Sequence, residues 1–435
     1  MVRSFLRRFI SDRKGNVAII FALSIVPCIF LSGMGLDFAS AIRKRVQLNA
    51  AADAAALAAV TPTMMVQSAT VAQTAAQNTF NAVASGITAT TGITPTITVL
   101  SSNGGLTRTA TVSYTANSTN SFPSVLGKAN WPISGSATST ASTSPNINFY
   151  LLLDNSPSMA IAATSAGIST MVANTSSQGG CAFACHESHP SSDNLGNPGG
   201  IDNYQLAKNL GVTTRIQNLA TATQSLMTTA ATTEAANNAV YGMAIYTFNG
   251  TGATTLQTLT TNLTTAATSA STIDVLEVYN NNCLTSSNCN NDTDTNFGSA
   301  MSQINGIMPT PGAGSSSSTP QEVLFLVSDG VEDDNTGVCS KPLTGSRCQA
   351  PFDTSWCTTV KNRGIRIAVL YTAYLPLPTN SWYNTWISPF QSQIGPNMQS
   401  CASPGLYFSI TTDGDITSAM QSLFAQAVAT ARLTQ

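Results

Sequence analysis

Asn148-Phe149-Tyr150-Leu151-Leu152-Leu153-Asp154-Asn155-Ser156-Pro157-Ser158 reads as a strand that runs straight into a cluster of oxygen donors. An apolar run without alternation has no solvent face, which marks a strand covered on both sides. Three more runs of this kind follow, at residues 239–248 (AVYGMAIYTF), 322–327 (EVLFLV) and 365–371 (IRIAVLY). Between the first and second, Tyr204, Leu206, Leu210, Ile216, Leu219 and Leu226 recur at helical spacing over residues 204–229, and residues 416–433 read as a closing helix. Strands alternating with helices predict an α/β domain over residues 146–435, doubly wound around a mostly parallel sheet. Ligands bind such sheets beyond the carboxyl ends of the strands. Asp154 ends the first run, and Asp329, in Ser328-Asp329-Gly330, ends the third.

A third polar motif, Asp294-Thr295-Asn296-Phe297-Gly298, opens a predicted helix between them. The order D-x-S-x-S, then Thr-Asn-x-Gly, then Asp-Gly resembles the metal-ion-dependent adhesion site of von Willebrand factor A domains. The resemblance implies that Asp154, Ser156, Ser158, Thr295 and Asp329 hold a divalent cation, with Thr293 as an alternative to Thr295. Mg²⁺ suits such a set, with Mn²⁺ or Ca²⁺ as substitutes, because a hard cation takes oxygen ligands and keeps part of its water. Ser156, Ser158 and Thr295 offer hydroxyls; Asp154 and Asp329 offer charge, through bound water. One coordination position stays open for a partner's carboxylate. The plainer reading is that Asp154 and Ser156 only cap the turn after the strand.

The other end of the chain differs in kind. Residues 16–36, NVAIIFALSIVPCIFLSGMGL, carry no charge and follow Arg3, Arg7, Arg8, Arg13 and Lys14. About 20 apolar residues span a bilayer, and flanking positive charge keeps that flank inside. The expectation is a cytoplasmic tail at 1–14, a transmembrane helix at 15–37 and an exported remainder. A signal peptide cut near Ala39-Ser40-Ala41 is the alternative, but its apolar core would be shorter, roughly 7–15 residues. Prepilin-type processing after Gly15 is a third reading, although Ile20 stands where such sequences carry Glu. The run from Arg13 to Val60, with its Gly-Asn-Val-Ala-Ile start, Asp37 after the span and the stretch QLNAAADAAALA, resembles TadE/TadG-like proteins of Tad (Flp) pilus assembly. That implies a single-pass inner-membrane protein with most of the chain periplasmic and a pilus or envelope protein as partner. Residues 38–145 read as an alanine-rich helix and a small pilin-like sheet, with strands near 94–100, 109–114 and 133–140 and a turn at 102–105. A low-complexity spacer is the competing reading.

Charge excludes some functions. Charged residues make up 9% of the chain, against roughly 25% in average soluble domains. Residues 1–45 hold eight Lys/Arg and two Asp, for +6; the rest hold ten Lys/Arg and eighteen Asp/Glu, for −8. An acidic body argues against nucleic acid as partner. No phosphate loop, H-E-x-x-H or G-x-S-x-G is present, so neither an enzyme nor a small-molecule substrate is expected. Cys28 lies in the span; Cys181, Cys185, Cys283, Cys289, Cys339, Cys348, Cys357 and Cys401 lie in the exported domain, where disulfides form. The expected pairs are 181–185, 283–289, 339–348 and 357–401. A zinc site of Cys181, Cys185, His186 and His189 is the sharper but weaker alternative.

Overall fold

The computed structural model describes residues 15–123, 127–178, 180, 201, 203–275, 295–334, 341–342, 348–374, 376, 381–411 and 413–431. The chain divides into two compact units, Met1–Thr143 and Ser144–Gln435.

The smaller unit begins with α1 (Gly15–Ala58). Its first half is apolar all round: Val17, Ile19, Phe21, Leu23, Leu31 and Leu36 are 60–72% exposed. A helix with no polar face needs an apolar surround, and this is the one helix among the described residues long and apolar enough to cross a membrane. From Ala41 the helix becomes one-sided. Ala41, Leu48, Ala52, Ala55 and Ala59 turn inward at intervals of three to seven residues, and their small side chains let α1 approach its neighbours closely. One neighbour is α2 (Ala69–Ala84), started by the Ser68 hydroxyl, which accepts from the Val71 N–H at 3.3 Å. The other is an antiparallel sheet of β1 (Thr90–Ser102), β2 (Thr107–Thr119) and β3 (Asn130–Ser142), in that order. Ala110, Val112, Tyr114 and Ala116 of β2 face the helices. On the opposite face Thr109 bonds Thr140 and Thr111 bonds Thr138, so hydroxyl pairs replace apolar ones where the sheet meets water.

In the larger unit six strands form one sheet in the order β12-β11-β7-β4-β5-β6. β4 (Ile147–Asp154), β5 (Tyr241–Asn249), β7 (Gln321–Ser328), β11 (Arg366–Thr372) and β12 (Tyr407–Ile410) are parallel. β6 (Gly252–Thr260) pairs antiparallel at the edge. Every residue of β5 and β7 is buried, as the unbroken apolar runs require. Phe149, Phe325 and Tyr241 pack on one side against the helices that carry Leu219 and Phe424. Leu152, Leu324 and Val369 pack on the other, against Phe297, Val360 and Ile394. Helices on both faces make this a doubly wound, mostly parallel α/β sheet.

One expectation needs correction. Residues 204–229 are not one helix but two, α4 (Asn203–Asn209) and α5 (Arg215–Asn237), after α3 (Ser165–Asn174). Gly211 breaks them at φ 69°, a conformation open to glycine at little cost, and the Thr214–Gln217 capping box starts α5. Longer helices that follow are α6 (Leu263–Ala270), α7 (Phe297–Ile307), α8 (Ser355–Asn362), α9 (Gln391–Cys401) and the closing α10 (Ile416–Thr430). A small antiparallel sheet, β8 (Val331–Asp334), β10 (Cys348–Pro351) and β9 (Lys341–Pro342), follows β7. Cys357 of α8 is joined to Cys401 of α9 in a disulfide, with Cα atoms 5.1 Å apart. Cys348 is disulfide-bonded too. Cys181, Cys185, Cys283, Cys289 and Cys339, like His186 and His189, lie outside the described residues.

Candidate metal centre

β4 and β7 are adjacent and parallel, with Leu153 opposite Val327. The residues just past them therefore meet at one rim. Asp154 is fully buried there, and Asp329 is 1% exposed. Asp154 Oδ1 accepts from the Ser156 N–H at 2.9 Å and from the Ser156 hydroxyl at 2.6 Å. Its Oδ2 accepts from the Ser328 hydroxyl at 2.6 Å. The Ser156 and Ser158 hydroxyl oxygens are 3.0 Å apart. Ser158 in turn lies beside Asp329 and lowers its carboxyl. Asp154, Ser156, Ser158 and Asp329 thus form one contiguous group.

Backbone geometry holds Asp329 in place. Gly330 has φ 75°, and a Cβ there would sit 2.7 Å from Ile394 Cγ2, so only glycine lets the chain turn out of β7 at this point. The Val331 N–H then points back at Asp329 Oδ1, at 3.3 Å. Asp329 Oδ2, fully buried, has no hydrogen-bond partner among the described residues.

Thr295 reaches the same rim by a different route. Its N–H donates to Asp333 O at 3.1 Å and its carbonyl accepts from the Asp333 N–H at 2.8 Å, which ties it to β8. The next residue, Asn296, donates its N–H to Asn249 O at the end of β5, and Asn249 Nδ2 bonds Asn155 Oδ1 at 3.2 Å. A chain of asparagines links the second motif to the first. Among the described residues the Thr295 hydroxyl bonds to none of the other four. Thr293 and Asp294 lie outside the described residues.

Burial pushes both carboxyls above the ordinary carboxylate range, and the negative charge of Asp329 pushes Asp154 further. Arg215, itself 5% exposed, pulls Asp329 back down. Farther along β8, burial and then the Asp334 charge raise Glu332 to about 7. Two carboxyls that disfavour each other's ionisation, with one oxygen unmatched, form a site that a cation would relieve. The donors are all oxygen, without imidazole or thiolate, which suits Mg²⁺, Mn²⁺ or Ca²⁺ better than zinc or copper. The residues fit a divalent ion: two carboxylates balance its charge, and the serine hydroxyls supply neutral ligands.

Three contributors escaped sequence reading. Ser328, Asn249 and Arg215 all act on this rim, and only Ser328 carried a signal, its place directly before Asp329.

The sheet is doubly wound and mostly parallel, and this group lies at the carboxyl rim of its strands, the arrangement that the resemblance to von Willebrand factor A domains implies. At the other end of the chain, residues 15–61 match the family described as putative Flp pilus-assembly TadE/G-like. Among solved structures, the vWF domain of the type V pili tip protein Mfa5 from Porphyromonas gingivalis is 10% identical, with 68% of this chain and 98% of that one covered at a TM-score of 0.37. The PilB minor pilin from Streptococcus sanguinis is 11% identical, with 78% of each chain covered at a TM-score of 0.35. No curated protein matches the sequence. The fold assignment rests on strand order and rim geometry.

Proposed function

We propose that the chain is a membrane-anchored component of Tad (Flp) pilus assembly that binds a protein partner through a divalent cation held by Asp154, Ser156, Ser158, Thr295 and Asp329. The observation that carries this reading is the buried, unpartnered Asp329 Oδ2 beside a second buried carboxyl. With neutral hydroxyls as its direct ligands and the two aspartates acting through bound water, the ion stays electrophilic enough to take one anionic ligand, and a partner's Asp or Glu supplies it. We read this as binding chemistry rather than catalysis: the hydroxyls serve as ligands, and both oxygens of Asp154 are engaged by them. The match over residues 15–61 supports the pilus role, and the apolar helix supports a single-pass anchor. The basic residues before it favour a cytoplasmic N-terminus, an inner-membrane location and a periplasmic bulk.

A second reading has its own support. The Ser156 N–H and hydroxyl close a local turn on Asp154, so the group, or a metal within it, could serve only to stabilise the fold of a structural anchor or a secreted surface adhesin. Pull-down of envelope proteins by the full chain in Mg²⁺ and in EDTA, with Asp154→Ala beside the wild type, separates the two. Partner binding is expected to vanish in EDTA and in the variant while the melting temperature without metal stays within a few degrees. A large drop in melting temperature, with partners lost only in step with unfolding, overturns the binding view.

A further inference from the structure

The far end of the apolar helix is fastened to the small sheet by two buried charges. Asp37, 1% exposed, accepts from the Ser121 N–H at 2.7 Å and from the Phe122 N–H at 3.2 Å. Two helical turns on, Lys44, 8% exposed, donates to Ala89 O at 2.7 Å and to the Ser118 hydroxyl at 3.0 Å. Both clamps grip the end of the sheet where β2 leads towards β3, so that end cannot swing away from α1.

At this junction the apolar surface does not stop with the helix. Phe38 is 49% exposed and Phe122 is 38% exposed. Trp131, half-buried at the start of β3, stacks edge-on against Phe38 with ring centroids 5.8 Å apart. Lys128, exposed, lies on the same turn and is held by its carbonyl to Asn120 Nδ2 at 3.0 Å. Leu36 and Met34, 60% and 43% exposed, continue the surface into the apolar helix. Residues 16–36 rise about 31 Å as a helix, against a hydrocarbon core of roughly 30 Å. If that core ends near Leu36, Phe38, Phe122 and Trp131 fall at headgroup depth, where aromatic rings are enriched.

The geometry points to an interfacial belt of Phe38, Phe122 and Trp131 that seats the β2–β3 end of the small sheet in the lipid headgroups, with Lys128 facing their phosphates. The occupant of this apolar surface is the bilayer itself, because the surface is continuous with the helix that enters it. The small unit then stands on the membrane at a fixed height, with Asp37 and Lys44 as the fasteners. This inference rests on the anchor reading of α1.

The test uses the full chain in phosphatidylethanolamine–phosphatidylglycerol vesicles. Alkaline carbonate extraction reports on the anchor, and quenching by lipids brominated at shallow or deep acyl positions reports on the belt. The share of fluorescence from Trp131 is the difference between the wild type and Trp131→Phe. Retention after carbonate, with Trp131 quenched about twofold by shallow bromines and less by deep ones, is the expected result. Retention with Trp131 emission the same in brominated and plain lipid overturns the belt and leaves the anchor standing. Release by carbonate overturns the anchor, and the belt with it. Phe38→Ser with Phe122→Ser should weaken the shallow quenching without releasing the chain.

Discussion

Asp37 and the pair Asp154–Asp329 are buried to the same degree, yet the chain treats them differently. Each oxygen of Asp37 receives a backbone N–H, from Ser121 and Phe122. At the rim of the large sheet half of the donors are serine hydroxyls, one on each oxygen of Asp154, and Asp329 Oδ2 receives nothing among the described residues. Backbone donors are fixed, so a carboxylate that meets them is a fastener. Hydroxyls turn, and retain lone pairs that face a third party. A charge buried with full compensation stabilises its surroundings, whereas one buried beside its like destabilises them until a counter-charge arrives. The same side chain therefore does structural work in one unit and, on the proposed reading, holds a ligand in the other.

The largest effect should come from supplying the counter-charge. Mg²⁺ at a hundred times its dissociation constant is expected to stabilise the large unit by about 2.7 kcal/mol, a rise in melting temperature of roughly 5–10 °C. Calorimetry on the full chain in detergent measures it, and Asp154→Ala should abolish it; an unchanged melting temperature in wild type would break the comparison at its centre. Next in size is the contrast between the acids themselves. Without metal, Asp37→Ala is expected to cost about 1.5–3 kcal/mol, because two charge-assisted hydrogen bonds are lost. Asp329→Ala under the same conditions should cost less than Asp37→Ala, since it relieves the repulsion of Asp154 and leaves Arg215 its hydrogen bond to Ala373 O. If both variants fell equally in chemical denaturation, the distinction between fastener and ligand would fail.

Legibility from sequence follows the same division between local and long-range causes. The strands of the large sheet were readable because residues 148–153, 322–327 and 365–371 are largely apolar without alternation; the first two lie inside observed strands, and all but Ile365 of the third lies in β11. Asp154 and Asp329 were readable because they end such runs. β6 was not, since GATTLQTLT is a half-exposed edge with no clear period. α2 escaped because its buried stripe is Ala72, Ala76, Phe80 and Ala84, and alanine hardly distinguishes inside from outside. The break between α4 and α5 was hidden because Leu206, Leu210, Ile216 and Leu219 keep a spacing that reads as helical through Gly211. Arg215 and Asn249 reach the rim only through tertiary folding, which no local pattern announces. The 94–100, 109–114 and 133–140 strands were placed, but they run to 13 residues each, because threonine and serine extend them on a face where hydroxyl pairs substitute for apolar ones.

The smallest effect, and the one that tests whether repulsion is the cause, is pH dependence. Asp154 and Asp329 are raised above their unfolded values, first by burial. A carboxyl raised in the folded state contributes stability that is present below the unfolded value and lost as pH rises through the folded one. The metal-free large unit should therefore be more stable near pH 5 than near pH 8. Glu322, lifted to about 7 by burial, and Glu332, lifted likewise with help from Asp334, act in the same direction. Their share can be told apart, because neither belongs to the rim group. A cation binds Asp154 and Asp329 only after displacing their protons, so the stabilisation gained from Mg²⁺ should shrink on acidification by roughly 1.4 kcal/mol per pH unit for each proton displaced. Glu322→Gln should flatten the metal-free profile and leave that Mg²⁺-linked slope untouched. Thermal unfolding from pH 5 to 8, with Mg²⁺ and with EDTA, measures both. A Mg²⁺ gain that is constant across the range would mean the two aspartates are already ionised at acid pH, and the rim would then be a second compensated site of the Asp37 kind.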